Sequence, residues 1–304
     1  MKPEFICIGA QRAGTTWLYK NLQMQTGFSM LKHIKELHYF DRSSEYASQN
    51  DLEQSRFLMR VQEPGYLRVT MKKFWRRLCR GDVYSALWWL KFRAARYDND
   101  WYLSLFEGQA GITGDVTPSY SIIDEKGVSE MYDLLPDAKI IMMIRNPIDR
   151  AWSMYRFVSK FKSGVDYTDF DRFKDYMDVS GQRLRSDYIR SIDLYAKYYG
   201  KENMLIGFYD AIQRDPQNLL SDVTRFLGSS EPLIEDKLRK VINESKEVVV
   251  LSEMLVYLQE LYRDDITELA SRYGSYALDW KMKLDGASSI NQHGGDARHS
   301  TIKL

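Results

Sequence analysis

Short apolar runs alternate with amphipathic stretches along most of this chain. Phe5 to Ile8 is a run of the buried-strand type, and it ends at Gly9. From Thr15 to Met24 the residues Trp17, Leu18 and Leu22 recur with helical spacing. The opening segment is therefore predicted to be strand, glycine-bounded turn, helix. A second apolar strand is predicted over Lys139 to Ile144, preceded by a helical stretch from Glu125 to Leu135. It stops at Arg145-Asn146-Pro147, and Pro147 suits the first turn of a helix. Met204 to Phe208 gives a third strand, after a helical segment from Tyr188 to Tyr199. Helices alternating with short, uniformly apolar strands imply a three-layer α/β fold with a central, mainly parallel sheet.

Residues 43–100 interrupt this alternation with helix-like, aromatic and basic sequence. Between Arg68 and Arg96, nine Lys/Arg stand against one acid, Asp82, a local net charge of +8 in a chain whose total is +1. The 304 residues suit one domain, 1–304, carrying a helical insertion at 43–100. Leu251 to Tyr273 is predicted helical, and the polar tail from Ser288 is expected to be loose. The two cysteines, Cys7 and Cys79, make neither a disulfide framework nor a zinc site. No leader pattern opens the chain, and no apolar run approaches the roughly 20 residues of a membrane span, so a cytoplasmic location is expected.

The first chemistry lies in the turn Gly9-Ala10-Gln11-Arg12-Ala13-Gly14-Thr15-Thr16. Its glycines have the spacing of a P-loop, after a strand and before a helix. There, backbone N–H groups and a helix N-terminus can converge on an anion. The usual lysine is replaced by Thr15, and the cation has moved to Arg12. The strand Lys139 to Ile144 leads into Arg145, where a magnesium-binding acid would stand in a nucleotide-triphosphate enzyme. The loop is therefore equipped for an anion balanced by side chains rather than by a metal. It resembles the 5′-phosphosulfate loop of PAPS-dependent sulfotransferases, in which a basic residue, usually lysine, precedes Gly-Thr-Thr by two positions. The resemblance implies donor contacts from Arg12, Ala13, Gly14, Thr15, Thr16 and Trp17. Arginine keeps the charge there but offers a planar fork instead of a point charge.

Arg145 ends a strand and Ser153 follows eight residues on, inside the next helix. An arginine at a strand's C-terminal end points into the crevice where α/β proteins bind ligands. The pair resembles the 3′-phosphate segment of the same family. Asp149 suits the helix's first turn, and Arg150 is expected to pair with a nearby acid on the helix surface.

A third segment reads Lys35-Glu36-Leu37-His38-Tyr39-Phe40-Asp41. Sulfuryl transfer needs a base for the acceptor proton and a cation for the leaving oxygen. Glu36 and His38 are the candidate bases; Lys35 and Arg12 are the candidate cations. The segment resembles the Glu-Val-His-Phe-Phe stretch of the heparan-sulfate and glycan sulfotransferases and their bacterial relatives, which implies Glu36 as base with His38 second. The stretch Gly114-Asp115-Val116-Thr117-Pro118-Ser119-Tyr120 resembles that family's Gly-Glu-Lys-Thr/Ser-Pro-x-Tyr, which implies acceptor contacts from Asp115, Thr117 and Ser119. Val116 stands where relatives carry a lysine able to touch an anionic glycan. The loop around Lys246 is a candidate to close over the donor.

The expected donor is PAPS, leaving as PAP, with no metal and with a glycan, lipid or other small-molecule acceptor. Two alternatives stay open, a P-loop small-molecule kinase and a non-catalytic nucleotide-binding protein. The basic insertion, with Phe74, Trp75, Trp88, Trp89 and Phe92, could wall an acceptor site, rest on an anionic membrane or form solvated helices packed on the core. Nucleic acid is not an expected partner, because the basic run is local and no reader motif accompanies it.

Overall fold

Strands that read as continuous apolar runs must be covered on both faces, and these are. In the computed structural model, which describes residues 2–48, 53–159, 168–235, 238, 250–286 and 298–304, the residues Ile6, Cys7, Ile8 and Ile140 to Ile144 are all 0% exposed. Among the described residues one sheet runs in the order β2-β1-β3-β4-β5. Its strands are β1 (Phe5–Gly9), β2 (Gly114–Val116), β3 (Lys139–Ile144), β4 (Met204–Phe208) and β5 (Thr301–Lys303). The first four are parallel, with Ile6 opposite Ile140 and Ile141 opposite Leu205. β5 pairs antiparallel with β4. Parallel neighbours require long crossovers, which here are helical.

Helix α1 (Thr15–Leu22) follows β1. Between it and β2 lie α2 (Phe57–Gln62), α3 (Tyr66–Leu78), α4 (Val83–Ala94) and α5 (Asn99–Ser104). After β2 come α6 (Glu125–Leu134), then β3 and α7 (Pro147–Ser159), then α8 (Phe170–Asp178), α9 (Ser180–Leu184) and α10 (Tyr188–Tyr199). β4 is followed by α11 (Tyr209–Arg214), α12 (Pro216–Leu227), α13 (Ser252–Tyr273) and α14 (Ser275–Leu284). The β3, β4 and α10 bounds are those the hydrophobic pattern predicts. α7 starts at Pro147, where a missing N–H costs nothing.

Two expectations are corrected. The C-terminal tail is not loose throughout: Thr301–Lys303 forms β5, and Thr301 Oγ1 donates to Asp222 at 2.9 Å. Three residues of Thr-Ile-Lys carry too little pattern to announce a strand; the open edge of β4 orders them. Arg150 makes no surface ion pair. It is 0% exposed, and its Nε donates to Ser186 Oγ at 2.6 Å. It lies on the inward face of α7, against the chain around Gln182 and Ser186.

The segment between α1 and β2 carries four helices among its described residues, and its aromatic residues divide. Trp88, Trp89 and Phe92 of α4 are buried, and Trp89 Nε1 donates to the Thr70 carbonyl of α3 at 3.0 Å. Trp75 on α3 stays exposed. The segment is tied together by Arg60, a fully buried cation with no carboxylate among its hydrogen-bond partners in the described residues. Its guanidinium donates to the carbonyls of Gln54, Ser55, Arg93 and Ala95 and to Tyr66 Oη, and stacks 3.7 Å from the Tyr97 ring centroid. Arg60→Met is expected to leave these acceptors unpaired and to cost about 3 kcal/mol of local stability. Limited proteolysis checks this: cleavage should concentrate within the inserted segment, and an unchanged digestion pattern would refute the tie.

Candidate active site

The C-terminal ends of β1, β3 and β4 converge, as ligand sites in α/β sheets require. Beyond β1, the turn passes through Arg12 at φ 68° and Gly14 at φ 89°, the latter capping α1. Position 14 favours glycine, because side chains rarely adopt φ 89° and a Cβ there would lie 2.3 Å from Ile212 Cδ1 of α11, which would have to shift. The first-turn N–H groups of α1 have no acceptor inside their own helix and face the turn.

A cavity of about 330 Å³ opens at this point. Of the predicted residues, Arg12, Gly14, Thr15, Thr16 and Trp17 of the loop, Lys35 and Glu36 of the third segment, and Arg145 and Ser153 line it together. Arg12 Nε donates to Ser153 Oγ at 3.0 Å, and its guanidinium lies 4.9 Å from the Phe157 ring centroid. Burial, and then the Arg145 charge, lower the Arg12 pKa. Arg145 donates to the Arg12 carbonyl at 3.3 Å and stacks 4.3 Å from the Tyr209 ring centroid. Its Nε is buried with no hydrogen-bond partner among the described residues. A buried orphan donor beside two further cations, with hydroxyls at Thr15, Thr16 and Ser153, fits a polyanionic ligand. Among the described residues no group of three or more His, Cys, Asp or Glu is arranged as a metal site.

Lys35 connects the loop to the third segment. Its Nζ donates to Thr15 Oγ1 at 3.1 Å and to Glu36 Oε1 at 2.7 Å. His38 lies behind Glu36, with Nε2 3.4 Å from Glu36 Oε2 and Nδ1 2.8 Å from Asp41 Oδ2. Burial by itself would raise the Glu36 carboxyl, but the hydrogen bonds and charges of His38 and Lys35 outweigh it and hold it at about 2. Burial likewise opposes charge on His38, but hydrogen bonds and charges from Asp41 and Glu36 push it up to about 10. At neutral pH the pair is a carboxylate against an imidazolium. His38 reaches this position at φ 54°, unusual for a residue with a Cβ.

That backbone is held from below by the segment after β2. The Leu37 N–H donates to Thr117 Oγ1 at 2.9 Å, and the Tyr39 N–H to Tyr120 Oη at 3.0 Å. Both hydroxyls donate onward to the Asp115 carboxylate, at 2.6 Å and 2.8 Å. Asp115, 1% exposed, thus anchors both amides flanking His38. Burial pushes its carboxyl up to about 6 despite hydrogen bonds from Thr117, Tyr120 and Tyr102. Asp115, Thr117 and Ser119, expected to touch an acceptor, are all buried with partners inside the protein. Ser119 Oγ accepts from Gln11 Nε2 at 3.0 Å, and Gln11 Oε1 accepts from Arg185 Nε at 2.7 Å. Ala13 is buried within the loop, and Lys246 lies outside the described residues.

Sequence reasoning missed Gln11, Asp41, Phe157, Arg185 and Tyr209. Tyr209 directly follows β4, so its position at a parallel strand's end was an available signal. Phe157 lies four residues after Ser153, on the same side of α7. Arg185, 174 residues from Gln11, gave no signal.

A family profile described as a sulfotransferase domain matches residues 2–249. The chain belongs to the sulfotransferase family. Among curated members it is 24% identical over 242 residues to the bifunctional heparan sulfate N-deacetylase/N-sulfotransferase 1 of Xenopus laevis, covering 74% of this chain and 22% of that protein. It is 28% identical over 136 residues to the human heparan sulfate glucosamine 3-O-sulfotransferase 6, covering 42% of this chain and 39% of the relative. The chain thus spans well under half the length of these relatives. The sulfotransferase from Alicyclobacillus acidocaldarius shares the fold, with a TM-score of 0.61 at 20% identity over 92% of this chain and 99% of that one.

Two outcomes follow from the site's geometry. Thr117→Val removes the acceptor for the Leu37 amide, and hydrogen exchange at Leu37 is expected to quicken about tenfold or more, with Thr117→Ser restoring protection. Equal exchange in both variants would dismiss the clamp. His38, raised from 6.5 to about 10, contributes stability that is complete below pH 6.5 and lost as pH rises through 10. Glu36, lowered from 4.5 to about 2, contributes stability present above pH 4.5 and lost as pH falls through 2. In urea denaturation the gap between the wild type and His38→Gln should therefore be widest between these limits and close towards pH 10.

Proposed function

We propose that this chain transfers the sulfuryl group of PAPS to a hydroxyl or amine of a small-molecule, lipid or glycan acceptor. The observation that carries this reading is the meeting of Arg12, Arg145 and Ser153 in one cavity whose wall holds the Glu36 carboxylate. Arg12, Gly14, Thr15, Thr16 and the α1 N-terminus would hold the 5′-phosphosulfate, and Arg145 with Ser153 the 3′-phosphate. Bound there, the donor supplies an electrophilic sulfur and leaves as PAP. The acceptor oxygen or nitrogen bonds to sulfur as the bond from sulfur to the phosphate oxygen breaks, and the acceptor proton passes to Glu36.

Between the two candidate bases, geometry favours Glu36. It lines the cavity, whereas His38 sits between Glu36 and Asp41 and stays protonated far above neutral pH. His38 holds the carboxylate in place. Lys35 reaches both Thr15 and Glu36, so one cation serves the donor loop and the base. Arg12 offsets charge on the departing phosphate.

The kinase reading has less support, because Thr15 replaces the P-loop lysine and β3 leads into Arg145 rather than an acid. The relatives named for heparan sulfate suggest a glycan acceptor, but Val116 replaces the lysine expected for an anionic one. The basic hairpin of α3 and α4 offers a partner surface of its own, either as a wall for the acceptor or as a seat on a bilayer. Both cysteines are unpaired and Cys79 is exposed, which accords with a reducing, cytoplasmic compartment. No described helix is long and apolar enough to cross a membrane.

Calorimetry tests the donor: PAP should bind without magnesium and more tightly than ADP, and Arg145→Ala should remove most of that preference. A preference for magnesium-ATP would overturn the reading. Glu36→Gln is expected to reduce turnover by about a thousandfold or more while sparing PAP affinity; unchanged turnover would remove Glu36 from the mechanism.

A further inference from the structure

Helix α3 carries an apolar row that the fold leaves uncovered. Leu67, Met71 and Trp75 recur every fourth residue along one side and are 46%, 39% and 54% exposed. One position on from each stands a cation, Arg68, Lys72 and Arg76, all exposed, forming a parallel row about 100° around the helix. The helix is oriented by its other side, where Lys73 and Arg77 lie 4.8 Å and 4.9 Å from the Trp89 ring centroid of α4. From Tyr66 to Gly81 there are six Lys/Arg and no acid. α4 adds exposed Tyr84 and Leu87. Tyr84 and Trp88 pack on His33, with centroids 5.7 Å and 4.9 Å away, on the loop that continues into Lys35 and Glu36.

We propose that the α3–α4 hairpin docks on the surface of an anionic phospholipid bilayer. The apolar row enters the headgroup boundary, and Arg68, Lys72 and Arg76 pair with lipid phosphates. Adjacent apolar and basic rows are what an interfacial helix presents. The charge selects this occupant. A second copy of the chain could cover the apolar row, but would bring the same six cations against their like. A nucleic acid or sulfated polysaccharide would satisfy the cations but leave Leu67, Met71 and Trp75 in water. A bilayer takes both. Because His33 ties the hairpin to the Lys35–Glu36 loop, docking would place the cavity close to the lipid surface. The inference does not depend on the identity of the donor.

Vesicle flotation of the full chain tests it, using phosphatidylcholine vesicles with and without an equal amount of phosphatidylglycerol. The wild type should float only with the anionic vesicles and be released by salt. Arg68→Gln/Lys72→Gln/Arg76→Gln is expected to weaken partitioning on the order of a hundredfold. Leu67→Ser/Met71→Ser/Trp75→Ser should weaken it by about tenfold or more at unchanged charge. All six residues are exposed, so both variants should keep the wild-type circular dichroism and melting temperature. Brominated lipid should quench the wild type's tryptophan fluorescence, and Trp75→Phe should lose that quenching. The proposal fails if the wild type does not float or if the serine variant binds as well as the wild type. It also fails if heparin or DNA binds both the wild type and the serine variant equally and competes the vesicles away. A concentration-dependent dimer abolished by the serine variant would instead identify the surface as a self-association face and overturn the proposal.

Discussion

Like charges gather inside a protein only where something holds them together, and everything around this cavity serves that constraint. Among the described residues, Arg12, Lys35 and Arg145 share it with one carboxylate, Glu36. Mutual repulsion among partly buried cations is on the order of a few kcal/mol per close pair. The fold meets that cost locally. Ser153 and the Arg12 carbonyl accept from the two guanidiniums, Phe157 and Tyr209 give each a ring face, and Glu36 balances Lys35. What remains is a positive excess with a buried Nε on Arg145 that has no partner among the described residues, a suitable receptor for a ligand carrying several negative charges. The parallel sheet makes this possible, because β1, β3 and β4 all end at the same edge and deliver their following residues to one place.

The opposite sign of charge organises the layer beneath. Asp115 is a buried carboxylate that meets no cation directly and is satisfied by three hydroxyls. Two of them pass its hold to the backbone on either side of His38. A residue with a Cβ at φ 54° would drift to a commoner conformation if both amides were released. The Lys35–Asp41 segment is thus rigid because a negative charge below it is rigid, while the charges above stay accessible.

The framework was legible in the chain because its signals are local. Four or five apolar residues bounded by Gly9, Arg145 or Tyr209 state a buried strand wherever they occur, and Pro147 marks the start of α7. The Gly9–Thr16 loop was legible for the same reason, since spacing and cation lie within eight residues. The resemblance of the third segment located Glu36 and His38, but not their order of depth, which depends on Asp41 and on the clamp from Thr117 and Tyr120. The inward direction of Asp115 was not legible because its motif gives adjacency and not direction: a strand residue points to one face or the other, and only the finished sheet says which. Arg150, Arg185 and β5 were hidden because their partners stand far away along the chain or on a sheet edge that sequence does not display.

The span of these contacts has a consequence for how the protein senses its own integrity. Arg12 meets Ser153 across 141 positions, Gln11 meets Arg185 across 174, and Leu37 meets Thr117 across 80. No short contiguous fragment contains the cavity, whose described lining runs from Gln11 to Tyr209. A partly unfolded molecule therefore has no partial affinity to offer, and a ligand that binds only the assembled form must stabilise the whole of it by mass action. The concentration of any such ligand around the protein becomes a determinant of its melting temperature and of how long it resists proteases, so occupancy and survival are two readings of one equilibrium.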